Sequence, residues 1–542
     1  MWKSLALVLV VLCILEQGQC EVFTSMANME NLAETEQLLF SSFKTYLQAE
    51  EDRLKVLKNF MLRVEDAQKN VNLSDVAKYL GNPINTYLML RRLSSEWRDV
   101  ESFLSQDGEA AEDFKAIYDN AKMVLPTTED HEGAMTALFR LQDTYKVPSN
   151  MLAKGIIPGV KSLSHHLEIR EIYEIGLHAY DNQNYQYASE WMRTAYEEFG
   201  LNATIDGIKR NKVLDYLAYS EYKKGNLPEA FKLTKELAAL KPKDKRILGN
   251  LEHYRYELRA SQSTGKRGDP GTLTDEELYK NAKGGSQTEA RSRRASLGDY
   301  EKLCRGEVRQ QTKRELKKMK CWYKTNDPTL ILKPQKFERI WADPEIFMLR
   351  DVITNRQIEQ LKEEAYPILK RATIQDPITG QLRHADYRVS KSAWLSPSRH
   401  EFVRQIALRA QSATNLDIRS SEQLQIANYG IGGHYEPHFD HAREDEDKFT
   451  DLGMGNRIAT VLYYLSDVEA GGATVFTVGK TAVFPSKGDA VFWYNLKRNG
   501  IGNPRTRHAA CPVLVGTKWV SNFWIHEYNQ EFRRPCALKS HL

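Results

Sequence analysis

The stretch HYEPHFDH, His434 to His441, sets His438 and Asp440 two residues apart, just after Pro437. Proline disfavours a helical conformation in the residue before it and cannot continue a helix through itself. The stretch is therefore predicted to be extended. Along a strand, residues i and i+2 point to the same side, so one imidazole and one carboxylate face a common point. Those are two members of a two-histidine, one-carboxylate triad, the arrangement that holds non-haem ferrous iron on one face and leaves the opposite face open.

A third ligand must come from further along. His508, in TRHAA, is the candidate, with His434 and His441 as rivals by proximity. His441 lies three residues after His438, so a strand would turn it the other way, as a solvent-facing or outer group. Ten residues past His508 stands Lys518, in GTKWVSNFWIHE. Strand parity gives Lys518, Val520, Asn522, Trp524 and His526 one face. An inward face would bury an ammonium, which is costly without an anion, and a small-molecule carboxylate would supply one. An outward face would leave the lysine stem along an edge strand.

Outward from this centre the pattern stays β-rich. Leu424–Tyr429, Ile458–Leu465, Ala490–Leu496 and Trp519–His526 are β-branched and aromatic, and glycine pairs or charged turns separate them. Short strands at this spacing predict an antiparallel sandwich or barrel. Asn355–Ala365 and Arg399–Ser412 read as helices on its outside.

Upstream, residues 261–298 are rich in Gly, Ser and charge and read as a linker, after which 299–345 is a cysteine-containing connecting segment. Residues 161–260 read as helical repeats. Gly176, Ala188 and Ala195 recur as Ala218, Ala230 and Leu237, and Pro242 closes the second copy as in a tetratricopeptide repeat. The offset exceeds the usual repeat, which predicts an insertion at Leu201–Arg210, with a third helix, Arg246–Leu258, as a cap. The segment is rich in tyrosine, and Tyr216, Tyr219 and Tyr222 share a helix face. Flat rings with a hydroxyl tip suit an extended, proline-rich peptide, and about half of the tyrosines are expected in the core instead.

Residues 21–160 read as a helical N-terminal dimerisation domain. Phe40, Phe43, Leu47, Leu54, Leu57, Met61 and Val64 follow 3/4 spacing, a heptad seam that needs either a second helix or its own domain to cover it. Residues 1–20 carry Lys3, the apolar run Leu5–Leu15 and small residues near Cys20, and read as a secretory signal peptide. No later stretch is apolar enough for a membrane span. A net charge of +4 over 542 residues gives no reason to expect nucleic acid. In a secretory compartment Cys304, Cys321, Cys511 and Cys536 are expected to pair. Three pairings are possible, and nearest neighbours, Cys304–Cys321 with Cys511–Cys536, is the expectation adopted. Asn72 and Asn202 are glycosylation sequons.

HFD, TRHAACPVL and GTKWVSNFWIHE, with YRVSKSAWL, GNRIATVLYYL, KGDAVFWYNL and QEFRRPC, resemble the catalytic domain of collagen prolyl 4-hydroxylase alpha subunits. The likeness extends through the repeats and, more weakly, the N-terminal helices. It implies a multidomain α + β chain ending in a double-stranded β-helix (jelly-roll) dioxygenase domain over 346–536. It implies proline C4 hydroxylation coupled to decarboxylation of 2-oxoglutarate, with Fe(II), O2 and L-ascorbate. By position it assigns His438, Asp440 and His508 to iron, and Lys518, Tyr429 and Thr460 to 2-oxoglutarate. Trp524 falls beside the active site and His526 with co-substrate handling. Tyr180, Tyr216, Tyr219, Arg246 and Asn250 fall in the peptide groove. It further implies a collagen-like peptide substrate, protein disulfide isomerase as beta subunit of an alpha2beta2 tetramer, and the endoplasmic reticulum lumen. The pattern departs at His441, where the family has an aromatic residue, at Phe523, often a lysine, and at His253, a tyrosine. A zinc hydrolase has no use for the Lys518 clamp. A collagen-binding chaperone has no use for the triad. A lysyl target is disfavoured by the likeness along the whole chain.

Overall fold

The structure is a computed structural model that describes residues 25–69, 97, 100, 109–121, 128–160, 166–200, 204–205, 207–263, 298–375, 382–383, 387–430, 432–444, 446, 449 and 452–537. The expected signal peptide, both sequons and nearly all of the linker lie outside the described residues. The chain forms two compact units, Asn28–Thr127 and the remainder. No helix among the described residues is long and apolar enough to cross a membrane.

The smaller unit is built on α1 (Met26–Lys69) and α2 (Glu109–Ala121). Phe43 of the heptad seam packs on Phe114 of α2, with ring centroids 5.2 Å apart. The rest is poorly covered: Phe40 is 69% exposed, and Leu47, Leu54 and Met61 are exposed as well.

In the larger unit α3 (Thr128–Tyr145) precedes the repeats: α4 (Ile169–Asp181), α5 (Tyr185–Glu198), α6 (Arg210–Lys223), α7 (Leu227–Leu240) and α8 (Lys245–Ser263). The small residues read as repeat positions are buried where helices cross. At Gly176 an added Cβ would lie 3.1 Å from the Met192 side chain, which would have to shift by a few tenths of an ångström to admit it. The expected insertion holds a short hairpin, Thr204–Ile205 with Ile208–Lys209. Packing crosses the expected boundary at 160. α3 belongs with the repeats, because Met135 and Phe139 are buried in their core and Trp191 Nε1 donates to Gln142 Oε1 at 2.8 Å.

After α9 (Gly298–Cys304) come β1 (Lys320–Lys324), β2 (Gln335–Ala342), β3 (Glu345–Arg350), α10 (Asn355–Ala365), β4 (Lys370–Arg371), β5 (Arg388–Val389), β6 (Lys391–Leu395) and α11 (Glu401–Thr414). Then follow β7 (Leu424–Tyr429), β8 (His434–His438), β9 (Arg457–Tyr464), β10 (Thr474–Phe476), β11 (Thr481–Val483), β12 (Ala490–Tyr494), β13 (His508–Ala510) and β14 (Lys518–His526). They form a nine-stranded sheet, in the order β1-β2-β3-β12-β9-β14-β7-β6-β4, and a five-stranded one, β11-β10-β13-β8-β5. The strands named from sequence are all present. The segment 299–345 is no mere connector, since β1 and β2 extend the large sheet.

α10 and α11 cover the outer face of the large sheet in a core that includes Phe523, Ile525, Val461 and Leu361. A second core, with Tyr429, Leu462, Phe476, Trp493 and Val520, fills the space between the sheets. Both faces of β7 and β14 are therefore buried, which leaves one end of the sandwich for a site.

The cysteine pairing differs from the expectation. Cys304 is bonded to Cys511, with Cα atoms 5.5 Å apart, and Cys321 and Cys536 are free and exposed. α9 packs on β10 and β13, so Cys304 meets Cys511 in a buried cluster with Val475 and Ala509. β1 meanwhile carries Cys321 away to the sheet edge.

Candidate active site

β8 and β13 are antiparallel neighbours, and their register sets His438 directly opposite His508. Asp440, two residues beyond His438, turns back between them. His438 Nε2 lies 3.6 Å from Asp440 Oδ1, and His508 Nε2 lies 3.6 Å from Asp440 Oδ2. One ligand atom from each of the three lies within 4.8 Å of the other two. Each imidazole is oriented from behind: His438 Nδ1 pairs with Glu436 O at 2.7 Å and His508 Nδ1 with Thr506 O at 2.9 Å. A ring that donates Nδ1–H to a carbonyl keeps its Nε2 lone pair for a metal. Burial pulls His508 down to about 4, against the pull of Asp440, so the ring is neutral at physiological pH. Burial would raise Asp440, but the two imidazoles and Arg457 outweigh it and hold the carboxyl well below its ordinary value. A neutral His508 and an ionised Asp440, with His438 opposite, make a set of ligands suited to Fe(II).

The rival histidines are elsewhere. His434 is buried, and His441 is not solvent-facing as expected but packed so tightly that a Cβ on Gly502 would lie 2.3 Å from its Nε2.

Thr460 faces inward. Its hydroxyl donates to Asp440 Oδ2 at 2.7 Å and accepts from Asn495 Nδ2 at 2.9 Å, and Asn495 Oδ1 accepts from Trp493 Nε1 at 2.7 Å. This chain fixes the carboxylate, so the Thr460 hydroxyl is engaged with the iron ligand rather than standing free.

The triad opens into a cavity of about 720 Å³, whose lining includes Lys518, Val520, Asn522, Trp524, Tyr429, Arg457 and Glu422. Four of the five residues aligned by strand parity thus face it. Lys518 is 1% exposed. Its ammonium lies 5.3 Å from the Tyr429 ring centroid, and no carboxylate among the described residues meets it. Burial alone lowers its pKa to about 7, and pushes that of Tyr429 up to about 12. A sealed cation with no anion is an incomplete site that a diacid would complete.

The fifth residue, His526, is not in the lining. Its Nδ1 is held by Gly455 O at 2.6 Å and its Nε2 by Glu422 Oε1 at 3.0 Å, so any part it plays passes through Glu422. Glu422 also takes both arms of Arg457, whose guanidinium carbon is 3.8 Å from the Trp524 ring centroid. The sequence offered no sign of Arg457, Glu422 or Asn495, because each acts through partners remote in the chain.

Three segments match described families: the prolyl 4-hydroxylase alpha-subunit N-terminal region over 25–159, the prolyl 4-hydroxylase peptide-substrate-binding domain over 169–260, and the 2OG-Fe(II) oxygenase superfamily over 424–526. The chain is 43% identical to prolyl 4-hydroxylase subunit alpha-1 of Bos taurus, covering 95% of both, and 41% identical to subunit alpha-2 of Caenorhabditis elegans, covering 99% and 97%. The chain belongs to the prolyl 4-hydroxylase alpha-subunit family. It is a 2-oxoglutarate/Fe(II) dioxygenase by that membership. Among solved structures, the viral collagen prolyl hydroxylase of Paramecium Bursaria Chlorella virus-1 aligns at 25% identity over 33% of this chain and 94% of its own, with a TM-score of 0.28.

The helical repeats carry a belt of half-buried rings. Tyr180 meets Tyr216 edge-on at 4.7 Å and Tyr219 at 5.9 Å, and Tyr222 stacks on Tyr254 at 4.4 Å. Of the tyrosines read as repeat aromatics, only Tyr173, Tyr187 and Tyr254 are buried, fewer than half. Arg246 is clamped to Asp215 beside the belt, and Asn250 lies one turn further along α8. His253, the departure from tyrosine, pairs through Nε2 with the Tyr222 hydroxyl at 3.1 Å.

Proposed function

We propose that this dioxygenase hydroxylates proline at C4 in collagen-like X-Pro-Gly sequences, as a procollagen-proline 4-dioxygenase. The observation that carries the reading is Lys518, an ammonium buried without an anion in the cavity into which His438, Asp440 and His508 open. A diacid in that cavity would answer the ammonium with one carboxylate while its other end faces the triad. Bound Fe(II), with 2-oxoglutarate and O2, supplies the oxidation, in which the diacid loses CO2 to become succinate while one oxygen atom enters the C4–H bond.

The chain's own residues position and shield that chemistry. Glu436 O and Thr506 O hold the two Nδ1 atoms, so that both Nε2 atoms would be free for the metal, and Thr460 holds the Asp440 carboxylate by a hydrogen bond. Lys518 receives the distal carboxylate, with the Tyr429 ring above it excluding water. Trp394, Trp524 and Arg457 wall the outer cavity, where the peptide would lie. Trp524 Nε1, buried without a hydrogen-bond partner, is a donor available to a peptide carbonyl.

The tyrosine belt would hold long chains and raise their local concentration at the iron. Family membership supports L-ascorbate as the reductant that rescues oxidised iron, protein disulfide isomerase as the partner, and the endoplasmic reticulum as the compartment. The exposed seam of α1 supports pairing of two chains. The test is 2-oxoglutarate decarboxylation with Fe(II), with and without a (Pro-Pro-Gly) peptide. Peptide should stimulate succinate release in step with 4-hydroxyproline. Decarboxylation without hydroxyproline would overturn the reading, as would hydroxylysine without hydroxyproline from a collagen-like peptide that carries both residues.

A further inference from the structure

α3 belongs to two cores. Phe139 stacks on Tyr187 of the repeats at 4.6 Å, while Tyr145 at its other end reaches the oxygenase domain. The Tyr145 hydroxyl donates to Pro512 O, and the same carbonyl accepts Gly472 N–H at 3.0 Å. The two glycines there have φ of +79° and +66°, a turn that other residues enter only with strain. Gly471 is also closely approached, and Gly472 lies beside Val468 and the lysine stem. A Cβ on Gly471 would lie 2.6 Å from the Tyr145 hydroxyl, and one on Gly472 would lie 3.4 Å from Lys518 Cδ. Tyr145 therefore abuts the turn at Gly471, and the lysine stem lies within van der Waals reach of a side chain placed at the next residue.

We propose that Tyr145 is a positioning residue for Lys518: by pinning the Gly471-Gly472 turn it fixes the wall along which the lysine stem lies. The helix that anchors the peptide-binding repeats thus also supports the co-substrate end of the iron site. The proposal rests on Lys518 as the 2-oxoglutarate anchor. A lysine stem has several rotatable bonds, and a site works only when such rotamers are locked by packing behind them.

Tyr145→Phe keeps the ring and removes the hydroxyl. Anaerobic calorimetric titration of 2-oxoglutarate into the Mn(II)-loaded full chain with its partner subunit should show Kd raised about five- to tenfold, the weight of one buried hydrogen bond. In turnover the KM for 2-oxoglutarate should rise with kcat retained, and peptide affinity should not move. Tyr187→Phe is the control for a merely structural role, since it removes a hydrogen bond to Phe139 O at 3.1 Å on the repeat side of the same helix. It should lower Tm comparably and leave the 2-oxoglutarate Kd alone. A Tyr145→Phe Kd within twofold of wild type, or equal shifts in both variants, would overturn the proposal. A wild-type chain that binds no 2-oxoglutarate would overturn the Lys518 assignment itself and this inference with it.

Discussion

Lys518→Met removes an ammonium that the folded chain holds at a loss until a diacid arrives. Burial brings its pKa from 10.5 to about 7. At about 1.4 kcal/mol per tenfold, the charged form costs roughly 5 kcal/mol in the folded, ligand-free state, and roughly 4 kcal/mol of that is felt at pH 7. Methionine has a similar stem and no charge, so much of that cost disappears. The unfolded chain binds this proton up to pH 10.5 and the folded chain only up to about 7. Wild-type stability without ligand should therefore climb as pH rises from 7 toward 10.5, and this part of the climb should vanish in the variant. Calorimetric melting at pH 7 should place the apo variant at least about 3 °C above wild type. Anaerobic titration should show 2-oxoglutarate affinity reduced by about a hundredfold or more, because a buried charge-assisted contact is lost. In wild type at pH 8, binding should draw a proton from the buffer, visible as a dependence of the heat on buffer ionisation. A variant that melts lower, or that binds 2-oxoglutarate within threefold of wild type, would refute the placement of Lys518.

Other substitutions separate neighbouring roles. Thr460→Val breaks the Trp493–Asn495–Thr460–Asp440 chain, so iron affinity should fall by about ten- to a hundredfold while the 2-oxoglutarate Kd of the metal-loaded protein stays near wild type. A change confined to 2-oxoglutarate would favour the role that the resemblance implies. Tyr219→Ala should raise KM for long (Pro-Pro-Gly) peptides severalfold and leave tripeptide turnover alone, and equal effects on both would argue against the belt as a groove. Peptide mapping under non-reducing conditions should recover Cys304 linked to Cys511, with Cys321 and Cys536 open to alkylation. Recovery of Cys304 with Cys321 would contradict the buried cluster around α9.

What the sequence disclosed were the features set by local periodicity. Pro437 forces an extended chain, and the two-residue period then aims His438 and Asp440 together. The same period picks Lys518, Val520, Asn522 and Trp524 for the cavity. It fails at His526, the last residue of β14, where Gly455 O and Glu422 capture the ring. The resemblance placed Thr460 at the co-substrate, but its bond to Asp440 depends on where the loop after β8 carries the carboxylate. α3 looks amphipathic from sequence, and nothing local says that its two faces serve different domains. Nearness in sequence misled at the cysteines, because β1 takes Cys321 to a sheet edge while α9 folds back onto β13.

The central claim is that His438, Asp440, His508 and Lys518 make one site for ferrous iron and a diacid. It is tested most directly by anaerobic absorption spectroscopy, since 2-oxoglutarate chelating protein-bound Fe(II) produces a visible charge-transfer band. Wild type should develop the band only with both present. Lys518→Met should recover it at high 2-oxoglutarate, and His508→Ala should not develop it at any concentration. An undiminished band in His508→Ala, or none in wild type, would contradict the account.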